Sequence, residues 1–222
     1  MKFMVGYALA IACATMGSPA AGSTVARAES PISRAEAGPA CVEFENDYKL
    51  EWQASWAVYQ AEQQNLADAR AVTEVDLPIT IDAPIDKVWS VYTDVRNGIG
   101  RHSFLKDVIV HRLCEADGVR VTDFTALEDI PMGSATFPGH TQAETRLHPD
   151  QYFYETDSWD VPNVTTHQLI TFADNGDGTT TVNEHLTFIA DQPLIDFTVT
   201  NGVAAHRASQ AAVKEDIENG TL

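Results

Sequence analysis

The chain has 222 residues, of which 44% are hydrophobic; this suits one sizeable globular domain with an extension better than two full domains. Its 32 acidic and 14 basic residues give a formal charge of −18 at pH 7. A surface of this sign repels phosphate, which argues against nucleic acid and anionic membrane surfaces as partners. Solubility alone is enough to explain the acidity.

The first 28 residues are typical of a secretory signal peptide. Lys2 precedes an apolar run over residues 3–13, and small residues follow as far as Ala21. The run is too short to span a membrane comfortably. We therefore predict a secreted or periplasmic protein whose leader is cleaved after Ala21 or after Ala28.

A lipoprotein signal at Cys13 is the minor alternative. The position three residues before it holds Ala10 instead of the larger aliphatic residue that such signals prefer. Ordinary cleavage after Ala28 would remove Lys2 and Arg27 and no acidic residue. The mature chain would then keep 12 of its 14 basic residues against 32 acidic ones, a charge of −20.

Loss of the leader would leave two cysteines, Cys41 and Cys114, in a chain bound for an oxidising compartment. A disulfide between them would tie the N-terminal extension to the end of the second strand. For a loop of this length it would contribute about 4 kcal/mol to stability. Two separate thiols are the alternative, because spacing along the chain does not establish proximity.

Residues 29–72 are predicted to form a linker and a helical extension. Residues 29–40 are rich in Ala, Ser, Pro and Gly without a period, which indicates a flexible linker. Over residues 41–71 aromatic and aliphatic side chains recur at helical spacing, which predicts one or two amphipathic helices: Trp52, Trp56, Tyr59 and Leu66. We expect this segment to pack on the outside of the main domain and bury its Trp rings; a lid or a dimer surface is the alternative.

The main domain is predicted to span residues 73–222 and opens with a strand followed by a helix. Hydrophobic residues alternate with polar ones from Leu77 to Ile81, the period of a half-buried strand. Pro84 and Asp86 are helix-start signals. The residues after Pro84 then place an apolar face at three- and four-residue spacing: Ile85, Val88, Trp89 and Tyr92.

A strand that enters an amphipathic helix through Ala83-Pro84, with Val88-Trp89 inside the helix and Thr93-Asp94 at its end, resembles the opening of the SRPBCC superfamily. This group includes START-related lipid carriers, birch-pollen-allergen-like proteins and polyketide cyclase/dehydrase-like proteins. The resemblance covers about residues 73–218. It implies an α+β helix-grip fold, in which a curved antiparallel sheet of about seven strands surrounds a long C-terminal helix and leaves an apolar cavity. Members bind lipids, hormones or polyketides or catalyse cyclisation, so the fold does not choose among these functions.

The rest of the chain fits that architecture. Six further strands are predicted between turn-forming residues: 106–114, 119–127, 135–147, 151–160, 164–174 and 179–189. A terminal helix is predicted over residues 193–218, and its many small residues would leave room for a ligand. Residues 95–105 correspond to the segment that borders the cavity mouth in the superfamily; many relatives carry Trp and Pro there, whereas this chain has Arg101-His102-Ser103-Phe104.

Common catalytic and metal-binding motifs are missing from the sequence. It has no glycine-rich phosphate loop, no Gly-x-Ser-x-Gly elbow and no His-Glu-x-x-His pattern, so we expect no cofactor and no metal site. Asn175-x-Asp177-Gly178 with Glu184 mimics part of a calcium-binding loop. Strands flank it on both sides, which favours a hairpin turn.

The predicted register of the last hairpin selects the polar residues of the cavity. A turn centred on Gly176 places His167 opposite His185, and both lie on the face away from the apolar residues, as surface residues and not as metal ligands. The same register sends Gln168 and Glu184 inward as cross-strand partners, which would form the polar anchor of the cavity. The alternative is that Glu184 lies near the end of the sheet and is solvated.

Tyr152 and Tyr154 are predicted to point inward, because the opposite choice would bury Glu155 and Asp157. The predicted ligand-binding set is Glu184, Gln168, Tyr152, Tyr154, Trp89 and His102. The sequence thus favours a protein that binds a hydrophobic small molecule, lipid-like or aromatic. The alternatives are a cyclase- or dehydratase-like enzyme that uses Glu184, His102 or a Tyr for proton transfer, and an interaction module with a filled cavity. The oligomeric state is not predicted.

Overall fold

A computed structural model describes residues 40–64, 70–132, 135–160 and 164–222. The expected leader, the linker up to residue 39 and Leu66 lie outside these ranges. The described strands and α-helices are β1 (Ala40–Glu43), α1 (Lys49–Gln64), β2 (Arg70–Ile81), α2 (Ile85–Tyr92), β3 (Leu105–Ala116), β4 (Val119–Met132), β5 (Ala135–His148), β6 (Phe153–Asp160), β7 (Val164–Asp174), β8 (Thr180–Asp191) and α3 (Ile195–Glu218). Short 3₁₀ turns occur at Val95–Gly98 and Pro149–Gln151.

The described strands form one antiparallel sheet in the order β1-β3-β4-β5-β6-β7-β8-β2. Strands β3 to β8 follow one another by hairpins, which the turn residues of the sequence predicted. β2 pairs with β8 along its whole length, from Arg70 opposite Asp191 to Ile81 opposite Thr180. With α3 across one face, this is the predicted helix-grip arrangement.

The eighth strand comes from the N-terminal extension. Cys41 lies opposite Cys114 in the β1–β3 pairing, and the two residues form a disulfide. The prediction of helix from residue 41 is therefore wrong at its start, and α1 begins only at Lys49. Long-range pairing with β3 outweighs the local pattern in these few residues. The sheet also includes residues before 73, where we expected the main domain to begin.

Helix α3 packs along the inner face of the sheet. Near its start, Val199 and Val203 contact Leu186 and Phe188. Farther along, two polar contacts fix the helix: Gln210 Nε2 donates a hydrogen bond of 2.9 Å to the Leu77 carbonyl, and Arg101 Nε donates one of 2.6 Å to Asp216. Its end packs against α2 in the largest apolar cluster, which includes Ile81, Val88, Trp89, Val213 and Ile217.

Gly202 allows α3 to approach the sheet closely. A Cβ at this position would lie 2.6 Å from the ring of Phe188, nearer than side-chain carbons approach one another. Glycine inside a helix costs about 1 kcal/mol relative to alanine. The close contact with Phe188 gives a structural reason for keeping it there.

Helix α1 packs on the outer face of the sheet, as predicted. Trp52, Tyr59 and Trp159 are buried in one cluster, with Trp56 against it. Tyr59 and Trp159 stack with ring centroids 4.5 Å apart, and the indole of Trp159 donates a hydrogen bond of 3.0 Å to Ser55. The outward-facing Trp159 of β6 thus joins the extension to the sheet.

The register of the last hairpin differs from the prediction by two residues. Ile170 lies opposite Glu184, and His167 lies opposite Thr187 instead of His185. The turn spans residues 175–179, where Gly176 and Gly178 both have positive φ. A shift of two residues leaves every side chain on its predicted face.

The two histidines of this hairpin point outward and lie apart. His167 Nδ1 is 2.6 Å from Asp157, and His185 Nδ1 is 3.1 Å from Asp76. They do not face each other, because the centre of the turn is Asp177. Their interactions are ordinary ion pairs or hydrogen bonds on the outer face of the sheet.

Candidate functional site

A cavity of about 850 Å³ lies between the inner face of the sheet and α3. Its apolar wall includes Phe124 and Leu147 from the sheet. On the helix side the lining residues Gly202, Ala205 and Ser209 have small side chains, which leaves the space open. The prediction of small inward residues is thus met, although Ala204, Ala208 and Ala211 are exposed.

Glu184 and His206 form a polar pair across this cavity. Glu184 is 7% exposed, and its Oε2 lies 2.9 Å from Nδ1 of His206 on α3. The alternative that Glu184 is solvated at the sheet end is therefore wrong. His206 was not identified from the sequence, although its spacing from Gly202 and Ser209 places it on the same helical face.

His102 lies next to this pair. Its ring is perpendicular to that of His206, with centroids 5.7 Å apart. Its Nδ1 is buried and has no hydrogen-bond partner within the described residues. Burial, with a smaller contribution from His206, lowers the pKa of His102 to about 4, so its imidazole is neutral at pH 7.

Two tyrosines present hydroxyl groups near Glu184. The hydroxyl of Tyr92 is buried without a hydrogen-bond partner among the described residues. Burial and the negative charge of Glu184 raise the pKa of Tyr92 and of Tyr154, to which Tyr92 also contributes. Both phenols therefore stay protonated and can donate a hydrogen bond.

Glu128 is a second carboxylate in the cavity wall. It is half-buried on β4 and accepts a hydrogen bond of 2.6 Å from Thr141 Oγ1 on β5. Burial raises the pKa of Glu128, while Thr141 and the nearby His206 oppose that rise. The predicted strand ended at residue 127 and so missed Glu128, although alternation from Phe124 places it on the inner face.

The structure brings four of the six predicted ligand-binding residues to the cavity wall: Glu184, Gln168, Tyr154 and His102. Gln168 lies opposite Leu186, so it is a diagonal neighbour of Glu184 on the same face and not its direct partner.

Trp89 and Tyr152 are not among the lining residues, so the prediction of their position is corrected. Tyr152 has φ +49° and precedes β6, which begins at Phe153; the alternation of a strand does not apply to it. Its hydroxyl donates a hydrogen bond to Asp86 on α2. Trp89 lies in the apolar core, edge-on to Phe172 at 5.2 Å.

Two further observations concern metal binding and membrane-spanning helices. Across the ranges that the structure describes, no group of three His, Cys, Asp or Glu side chains is arranged to hold a metal ion. Within the same ranges, no helix combines the length and apolar character needed to cross a membrane.

The chain has the helix-grip fold that its resemblance to the SRPBCC superfamily implied, and solved structures share this fold. The protein TTHA0849 from Thermus thermophilus is 14% identical with a TM-score of 0.54, over 68% of this chain and 100% of that one. The ZhuI aromatase/cyclase from Streptomyces sp. R1128 is 16% identical with a TM-score of 0.50, over 66% and 96%.

The di-domain ARO/CYC BexL from the BE-7585A biosynthetic pathway is 15% identical with a TM-score of 0.53, over 77% of this chain and 58% of that one. No protein-family model and no curated protein sequence matches the chain. At such identities the likeness establishes the fold, and activity has to be argued from the site.

Proposed function

We propose that this protein binds a hydrophobic small molecule, lipid-like or aromatic, between the sheet and α3. The observation that carries the proposal is the cavity of about 850 Å³, a size within the range of about 300–1,000 Å³ usual for small-molecule sites. An interaction module with a filled cavity is not favoured, because Gly202, Ala205 and Ser209 leave this space open.

The polar groups of the cavity support a ligand with a polar head. The hydroxyl of Tyr92 and Nδ1 of His102 are buried without partners among the described residues. A buried polar group without a hydrogen bond costs about 1–3 kcal/mol. A ligand that satisfies these groups would recover that cost, and its apolar body would lie along the hydrophobic wall.

We further propose that the protein works outside the cytoplasm, in the periplasm or the extracellular medium. The leader-like first 28 residues support this compartment. The disulfide between Cys41 and Cys114 supports it independently, because such bonds persist mainly in oxidising compartments.

A second candidate function is proton-transfer catalysis on a ligand held in the same cavity. The observation that favours it is the 2.9 Å contact between Glu184 and His206 beside the neutral His102. A carboxylate that orients an imidazole is a common arrangement for a general base. Of the proteins that share this fold, one is named an aromatase/cyclase and another a di-domain ARO/CYC, which is compatible with such chemistry.

Native mass spectrometry of the exported protein tests the binding proposal. We expect a non-covalent adduct that organic extraction removes and that rebinds on addition. Ser209→Phe would place a large ring in the cavity and should abolish the adduct, whereas Ala211→Phe on the exposed side of α3 should retain it. Retention by both variants would contradict binding in this cavity. A change in the mass of the extracted compound on incubation with fresh protein would favour the enzyme.

A further inference from the structure

The charges of the cavity lining have one sign. Four acidic residues line it: Asp94, Glu128, Asp160 and Glu184. The described lining residues include no Lys and no Arg, and the only basic side chains are His102 and His206. His102 is neutral at pH 7, so His206 alone remains as a possible positive charge, already paired with Glu184.

The two inner carboxylates have spare capacity to accept hydrogen bonds. Within the described residues, the side chain of Glu128 is bonded only by Thr141 and that of Glu184 only by His206. An ionised carboxylate can accept about four hydrogen bonds. Each carboxylate therefore has accepting positions that no described residue fills, and a bound molecule could supply further donors.

We propose that the cavity selects a hydrophobic amine or a similar cationic amphiphile, whose positively charged head pairs with Glu128 and Glu184 and whose apolar body lies against Phe124 and Phe188. This inference rests on the proposed binding function and adds the chemical class of the ligand. Asp94 and Asp160 are exposed at the edge of the lining and attract the same charge toward the opening.

The same lining disfavours anionic ligands such as fatty acids. A carboxylate inside the cavity would be desolvated without a fixed cation as partner and would lie near two like charges. A neutral alcohol would be tolerated, because Tyr92 and Gln168 can form hydrogen bonds with it. The expected order of affinity is thus amine, then alcohol, then acid.

Three fluorescent probes with one apolar body test this order: pyrenemethylamine, pyrenemethanol and pyrenecarboxylic acid. We expect the purified full chain to bind the amine about tenfold more tightly than the alcohol, and the acid more weakly than the alcohol. Glu128→Gln and Glu184→Gln should each reduce the preference for the amine over the alcohol several-fold, because each removes one of the charges that would pair with the ammonium group.

The control separates the cavity from general attraction to an acidic protein. Glu215→Gln removes one charge from the exposed side of α3 and should preserve the preference for the amine, as should about 0.5 M salt, which screens exposed charges most strongly. Loss of the preference with this control or with salt, but not with Glu128→Gln or Glu184→Gln, would overturn the inference. Binding of the acid as tightly as the amine would overturn it too and leave the binding function standing. Failure of all three probes to bind would count against the binding function itself.

Discussion

His206 on α3 and Glu184 on β8 meet across the cavity, with 2.9 Å between Nδ1 and Oε2. This contact joins the helix to the sheet inside the cavity. It also fixes the orientation of the imidazole toward His102. The pair therefore contributes both to the position of α3 and to the polar character of the site.

We expect Glu184→Gln to weaken ligand retention without unfolding the protein. Glutamine keeps the shape and can still bond His206, and it removes the cost of a buried carboxylate, so the free energy of unfolding should change by less than about 1 kcal/mol or rise. Native mass spectrometry and a urea melt measure the two effects. The matched control is His185→Ala, one residue along on the outer face; if it abolished binding while Glu184→Gln did not, the assignment of faces would be wrong.

Stability should fall on acidification because of His102. Burial lowers its pKa from 6.5 to about 4, so between these pH values the unfolded chain binds a proton that the folded chain does not. Stability from the neutral imidazole is thus fully present above pH 6.5 and is lost as the pH falls toward 4.

Replacing His102 isolates this effect from other titrating groups, among them Glu128, whose raised pKa acts in the opposite sense. In His102→Gln, the loss of unfolding free energy between pH 7 and about pH 4.5 should be smaller by about 2 kcal/mol. The exposed His140 is the control, and His140→Gln should change that loss by less than about 0.5 kcal/mol. Equal acid sensitivity of His102→Gln and the parent would show that His102 is not desolvated.

Removal of the disulfide should cost about 4 kcal/mol, because Cys41 and Cys114 are 73 residues apart and close a long loop. The Cys41→Ala/Cys114→Ala variant should unfold at a lower guanidinium concentration than the oxidised parent. Adding a reductant should lower the midpoint of the parent and leave that of the variant unchanged. An oxidised parent no more stable than the variant would contradict the expectation.

Gly202→Ala should destabilise the protein despite the higher helix propensity of alanine. The added methyl group would lie 2.6 Å from the ring of Phe188, and overpacking of this kind costs about 1–3 kcal/mol. Phe188→Leu in the same chain should recover part of the loss, so the two substitutions should be non-additive in a thermal melt. A more stable Gly202→Ala variant would mean that α3 lies farther from the sheet.

The mature protein should begin between Gly22 and Glu29, where small residues follow the apolar run. Intact mass spectrometry of protein recovered from the medium or periplasm measures the start. Retention of Met1 in that material would refute cleavage, and a lipid adduct on Cys13 would favour the lipoprotein alternative.

The sequence predicted most of the sheet and the terminal helix, because glycine, proline and asparagine mark the turns between alternating strands. It did not predict β1, since four residues carry little periodicity and their pairing depends on a partner 73 residues away. Tyr152 was misplaced because the 3₁₀ turn at Pro149–Gln151 ends the strand alternation. The predicted register of the last hairpin differs from the observed one by two residues. Glycines at 176 and 178 allow the turn to be centred on either Gly176 or Asp177, and the structure has Asp177 at the centre.

Of the polar residues in the cavity, Glu184 was predicted from the sequence, whereas His206 and Glu128 were not. Glu184 was identified from strand alternation, but its partner His206 comes from another element, and pairings between elements depend on the packing of the whole domain. Glu128 was missed because the predicted strand ended one residue too early.

β1 and β2 are consecutive strands in the chain, yet they lie at opposite edges of the sheet, with α1 between them in sequence. The N-terminal extension is therefore attached to the sheet at three places. The disulfide attaches it at one edge and the long pairing of β2 with β8 at the other. Between them, Trp52 and Tyr59 of α1 pack on the outer face. Attachment at both edges opposes any flattening of the sheet, and the depth of the cavity depends on the curvature of the sheet. Reduction of the disulfide would remove the covalent attachment of the extension at the β1 edge and leave only the pairing of β1 with β3 there.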